Sequence, residues 1–106
     1  YMLQDNTITI LNPKGSLVGF IPDYDFLLET YSIEKNTKLI LYTDGIIEAE
    51  NKKKELYGEK RLKNLLAEMQ NDSPEEITKT IIKDLELWKK EIDHNDDITL
   101  IVIEIP

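Results

Sequence analysis

The hydrophobic pattern changes period along the chain, and each change predicts an element. Thr7-Ile8-Thr9-Ile10-Leu11 is β-branched and apolar and runs into Asn12-Pro13-Lys14-Gly15, so a strand and then a turn are predicted. Gly19, Pro22 and Asp23 punctuate a loop, after which the loose alternation from Phe26 to Ile33 predicts another strand. Asn36-Thr37-Lys38 turns the chain again. Leu39-Ile40-Leu41-Tyr42-Thr43 has no polar alternation, which suits a strand covered on both faces, and it stops at Asp44-Gly45. From Glu59 onward the period is helical: Leu62, Leu65, Leu66 and Met69 fall at i, i+3, i+4 and i+7, with Gly58 as the start. A second helix opens on Ser73-Pro74-Glu75-Glu76, where Ser is the N-cap, Pro the first helical residue and Glu76 the far side of a capping box. Its stripe of Ile77, Ile81, Leu85, Trp88 and Ile92 faces a core. The polar loop His94-Asn95-Asp96-Asp97 then leads into a last apolar strand, Ile98-Thr99-Leu100-Ile101-Val102-Ile103.

Strands, two helices and a returning strand make an α/β chain of the α+β kind: a mostly antiparallel sheet with two helices on one face. Nothing in the sequence covers the other face, yet 39–43 and 98–103 are apolar enough to need cover. A missing half of the fold or a second copy of the chain would supply it, and self-association into a homo-oligomer is the expectation for the chain on its own.

Length and charge narrow the classes of function. At 106 residues, 1–106 is expected to form a single unit. Thirteen Lys and Arg against 21 Asp and Glu give a net charge of −8, which argues against generic nucleic-acid binding. With no cysteine, disulfides, thiolate metal sites and thiol catalysis are all excluded. No apolar run approaches the ~18 residues of a membrane span and no signal-like pattern opens the chain, so the expectation is no membrane insertion and a cytoplasmic setting. Tyr1, with Met2 behind it, is an unusual start, which suggests a piece of something longer.

Two carboxylate positions stand where an apolar strand meets a loop: Asp44 after Leu39 to Thr43, and Asp96 with Asp97 before Ile98. If those strands are antiparallel neighbours, Asp44 and Asp96 sit at one end of the sheet and converge. Clustered carboxylates need a cation, their hard oxygens favour Mg²⁺ or Mn²⁺ over zinc, and Gly45 lets the backbone turn sharply beside it. The spacing is equally that of a plain Asp44-Gly45 turn and a solvated Asn95-Asp96-Asp97 loop. Calcium loops of the helix–loop–helix kind are excluded, because no twelve-residue Asp-rich loop with a central Gly and terminal Glu occurs. His94 has no partners in its sequence context and reads as a solvated loop residue. Tyr57 is expected to pack its ring under the first helix, and Lys52-Lys53-Lys54 reads as an exposed loop, with an acidic partner's docking patch as the other reading.

Three blocks carry a resemblance. Leu39 to Ala49 with its Thr43-Asp44-Gly45 step, Leu56-Tyr57-Gly58-Glu59-Lys60-Arg61-Leu62, and Asp96-Asp97-Ile98-Thr99-Leu100-Ile101-Val102 together resemble the later half of SpoIIE/RsbU-type PPM serine phosphatases, metal-dependent enzymes of bacterial signalling. Gly15-Ser16-Leu17-Val18-Gly19 is similar, more loosely, to a family loop in which small residues precede a Leu-Gly step. The resemblance implies the C-terminal portion of a phosphatase domain and half of an αββα sandwich. It implies Asp44 and Asp96 as metal ligands, with Gly45 and Asp97 in support, and two Mn²⁺ or Mg²⁺ ions in the complete domain that acidify a water for attack on phosphoserine. It further implies a substrate of the anti-sigma-factor-antagonist type and a sensor domain elsewhere in the parent chain.

The chain also departs from that family. The upstream acidic residue and the Asp-x-x-Gly-His-Gly block, whose Asp bridges the two metals, are not in this sequence. The expectation is therefore a parent phosphatase and a fragment inactive on its own, with a degenerate, non-catalytic interaction module as the alternative.

Overall fold

The computed structural model describes residues 1–12, 14–90 and 97–106. Four strands form one antiparallel sheet: β1 (Met2–Gln4), β2 (Thr7–Thr9), β3 (Lys38–Tyr42) and β4 (Leu100–Glu104), in the order β2-β1-β3-β4. Between β3 and β4 the chain forms α1 (Asp44–Ile47), α2 (Glu59–Glu68) and α3 (Pro74–Lys89). The first predicted strand is thus the second arm of a hairpin. Asp5 and Asn6 join the arms at φ 48° and 59°, the two positive values that a tight two-residue hairpin turn requires and that Asp and Asn tolerate.

The strand predicted over Phe26 to Ile33 does not form. Phe26-Leu27-Leu28 breaks the alternation, so a strand here could not present one apolar face. The chain is instead led into β3 by Gln4, whose Oε1 accepts from the Glu34 amide at 3.1 Å and the Thr37 hydroxyl at 2.7 Å. Among the described residues the helices number three rather than two, because the end of β3 continues into the short α1 instead of a plain turn. Ile92 and His94, assigned above to a helix stripe and a loop, lie outside the described residues.

The helices begin where their local chemistry says they should. Ser73 Oγ accepts from the Glu76 amide at 3.3 Å, the Glu76 carboxylate accepts from the Ser73 amide at 2.9 Å, and Pro74 opens α3. Gly58 enters α2 at φ +78°, a conformation that a side chain would strain. Leu62 and Leu66 of α2, Ile77, Ile81 and Leu85 of α3, and Ile46 of α1 pack with Leu3 and Ile40 of the sheet, and Leu100 and Val102 border that core. By the alternation along a strand, Leu39, Leu41, Ile101 and Ile103 face away from the helices, and the register pairs Leu39 with Ile103 and Leu41 with Ile101. Three of the four are exposed: Leu41, Ile101 and Ile103.

Candidate functional site at the end of β3 and β4

The two blocks that bracket the helices in sequence meet at one end of the sheet, and Thr43 is the joint. Its amide donates to the Thr99 carbonyl at 3.1 Å, its hydroxyl donates to the Asp97 carbonyl at 3.1 Å, and the same Oγ1 accepts from the Thr99 amide at 3.0 Å. One side chain thereby splices the residues entering β4 onto the exit of β3. Immediately beyond, Gly45 lies so close to the returning chain that a Cβ there would stand 2.7 Å from the Asp97 carbonyl oxygen and 3.4 Å from Ile98 Cγ1. Any other residue would force the two segments apart, so glycine serves close approach here rather than a turn.

Asp44 follows this joint as the first residue of α1, and its side chain is exposed. The helix is pinned from below by Ile46, which is fully buried, and from its far end by backbone bonds: the Gly58 amide donates to the Ile47 carbonyl at 2.9 Å and the Tyr57 amide to Ala49 at 2.8 Å. Asp44 and Glu59 border a cavity of about 540 Å³ that Tyr1, Leu41 and Tyr42 also line. Tyr1 and Tyr42 stack there with ring centroids 5.7 Å apart, and burial, with the Tyr1 contact, pushes the Tyr42 phenol well above its ordinary range.

Of the four residues singled out by sequence, Asp44, Gly45 and Asp97 are brought together at this end of the sheet, while Asp96 lies outside the described residues. Asp44 offers hard carboxylate oxygens on a fixed backbone, the donor chemistry that suits Mg²⁺ or Mn²⁺. Among the described residues no three His, Cys, Asp or Glu side chains gather in a way that could hold a metal ion.

A second polar assembly, which the sequence reading did not find, supports α1 from behind. Arg61 of α2 holds Asp84 of α3 through two bonds of 2.8 Å, from Nε and Nη2, and the Tyr57 hydroxyl donates to the same carboxylate at 2.8 Å. The guanidinium lies 4.6 Å from the Trp88 ring centroid and 5.3 Å from that of Tyr57. Trp88 Nε1 in turn donates to the Ala49 carbonyl at 3.2 Å, just past α1. The Arg61 hydrogen bonds hold the Asp84 carboxyl below its usual range, while burial and then Asp84 raise the Tyr57 phenol. The expectation that Tyr57 packs under the first helix holds, since the residue is 3% exposed and belongs to the core.

Residues 1–106 match the family Stage II sporulation protein E (SpoIIE). The chain is similar to the phosphoserine phosphatase RsbU of Bacillus subtilis (strain 168), with 32% identity over 103 residues, which are 97% of this chain and 30% of RsbU. It is also similar to Protein IcfG of Synechocystis sp. (strain ATCC 27184 / PCC 6803 / Kazusa), with 36% identity over 56 residues, 53% of this chain and 9% of that protein. The chain therefore spans less than a third of the length of either relative. No solved structure matches it.

Proposed function

Because the chain belongs to the SpoIIE family, we propose that residues 1–106 are the C-terminal portion of a metal-dependent phosphatase domain acting on phosphoserine in a small signalling protein. The relative RsbU bears the name phosphoserine phosphatase, and that substrate class is the one we assign. The observation that carries the reading is the splice at Thr43, which sets Asp44 beside the residues entering β4. In this reading Asp44 and Asp96 hold Mg²⁺ or Mn²⁺ jointly with carboxylates from an upstream part of the parent domain, and Asp97 and Gly45 fix their placement. A bound divalent ion supplies charge neutralisation at the phosphoryl group and an acidified water. Thr43 and Gly45 do the positioning, because any slack between β3 and β4 separates the two ligand-bearing segments.

The proposed substrate is a phosphoprotein of the anti-sigma-factor-antagonist type, with a sensor domain elsewhere in the parent chain governing access to it. The exposed sheet face of Leu41, Ile101 and Ile103 is where the 106-residue chain alone would self-associate. The test is phosphate release from a phosphoserine peptide in Mn²⁺. The parent chain, with its upstream sequence, should turn over and lose nearly all activity on Asp44→Asn, whereas the 106-residue chain should be inactive. Turnover by the 106-residue chain, or an active parent carrying Asp44→Asn, would overturn the assignment. An inactive parent lacking the Asp-x-x-Gly-His-Gly block would favour the alternative, a phosphatase-like interaction module.

A further inference from the structure

Asp44 takes no part in a second cleft, of about 480 Å³, which opens between the loop over 50–56 and the C-terminal half of α3. Trp88 and the Arg61–Asp84 pair line it, together with Lys52, Lys53 and Lys90. In a chain of net charge −8 this is a local reversal: Lys53, Arg61 and Lys90 stand here against Glu55 and Asp84. Its two carboxylates are engaged, Asp84 by Arg61 and Tyr57, and Glu55 by the Asn51 side-chain amide at 2.7 Å. The lysine loop is held in shape. Asn51 Oδ1 accepts from the Lys53 amide at 2.8 Å and from the Glu55 amide at 3.0 Å, and a bridge between Glu50 and Leu56 closes the base. Across the cleft, Leu87 of α3 is 55% exposed, and Lys90 follows directly on the end of that helix.

We infer that this cleft docks an acidic segment of a partner protein, one in which carboxylates flank an apolar side chain. Charge complementarity names the occupant: lysines reach in from the loop and from the end of α3, while Leu87 and the half-buried Trp88 offer an apolar seat between them. Nucleic acid is disfavoured because its extended charge meets the acidic remainder of the molecule, whereas a short peptide presents its few carboxylates within a Debye length, ~8 Å, of the lysines.

The probe is a fluorescein-labelled Glu-Glu-Leu-Glu-Glu peptide, with Lys-Lys-Leu-Lys-Lys as its charge-reversed counterpart, added to the 106-residue chain. Anisotropy reads binding, and emission from Trp88, the sole tryptophan, reports location. The acidic peptide should bind saturably, perturb Trp88 and weaken with added salt. Lys53→Glu with Lys90→Glu should weaken it by about tenfold or more, since each change turns an attraction into a repulsion. Lys14→Glu with Lys35→Glu alters net charge equally outside the cleft and should leave binding unchanged. No saturable binding, equal binding of the basic peptide, preference for a single-stranded oligonucleotide, or equal weakening by the control pair would each overturn the inference.

Discussion

Ile40 and Leu41 are adjacent in β3, equally apolar and equally part of the sheet, yet one is 2% exposed and the other 49%. The difference belongs to the two faces rather than to the residues. Beneath Ile40 lie α2 and α3, whose buried stripes supply the other half of a close-packed layer, whereas Leu41 looks outward with Ile101 and Ile103. Even that outward face is uneven: Met2, paired with Leu39, is buried, so exposure grows toward β4. The unbroken apolar run of β3 is therefore written for two covers, and one of them is in place.

The largest effect expected from this contrast is on stability. Ile40→Ala removes a fully packed side chain and should cost about 2–5 kcal/mol, while Leu41→Ala, one residue on, should cost within about 1 kcal/mol. Urea unfolding of both variants reads the difference. Read at a concentration too low for self-association, equal losses would mean that the outward face is covered within a single copy of the chain.

The second expectation asks what covers it. At high micromolar concentration the chain should sediment as a dimer or larger species, and Leu41→Asp with Ile101→Asp should return it to a monomer while its far-UV spectrum stays native. A monomeric wild-type chain would show that this face tolerates water and that the comparison between faces is one of polarity more than of missing cover.

Legibility in the sequence follows the same division between local and remote causes. α3 could be read almost to the residue, since Ser73, Pro74 and Glu76 act within one turn and Ile77, Ile81 and Leu85 keep a strict period. α1 could not, because four residues are too few to show a period and its placement depends on Ile46 reaching the core and on Gly58 bonding back to Ile47. The strand ends of the candidate site were legible from the apolar runs, and so was their common end of the sheet. What Gly45 is for was not, because the 2.7 Å approach to Asp97 arises between residues far apart in sequence. Arg61 and Asp84 looked like ordinary polar positions on amphipathic helices; their pairing comes from how α2 and α3 pack, which no local pattern encodes. The misread strand over 26–33 is the converse case, an alternation too loose to give a strand a single apolar face.

That pairing gives the third expectation, which concerns the covered side. Asp84→Asn should cost about 1–2 kcal/mol at neutral pH by weakening the two Arg61 bonds, the partial exposure of both partners keeping the loss modest. The Asp84 carboxyl is held below its ordinary value, so its contribution is complete above the unfolded-state pKa and disappears as pH falls through the folded one. The gap in urea midpoint between wild type and variant should accordingly be full at pH 7 and close below about pH 4. A gap independent of pH would mean that the variant acts through packing against Tyr57 and Trp88 instead of through charge.

The smallest expected effect lies at the start of the same cover. Ser73→Ala deletes the acceptor for the Glu76 amide and should cost about 1 kcal/mol, since a helix of this length with three buried residues keeps its place by packing and loses only the ordering of its first turn. Hydrogen exchange sharpens the point: protection should fall at the first amides of α3 and stay unchanged at Ile81 and Leu85, which sit deep against the sheet. Should protection drop along the whole of α3, the helix would be held by its cap more than by its buried stripe, and the covered face would owe its order to local chemistry instead of to the layer beneath it.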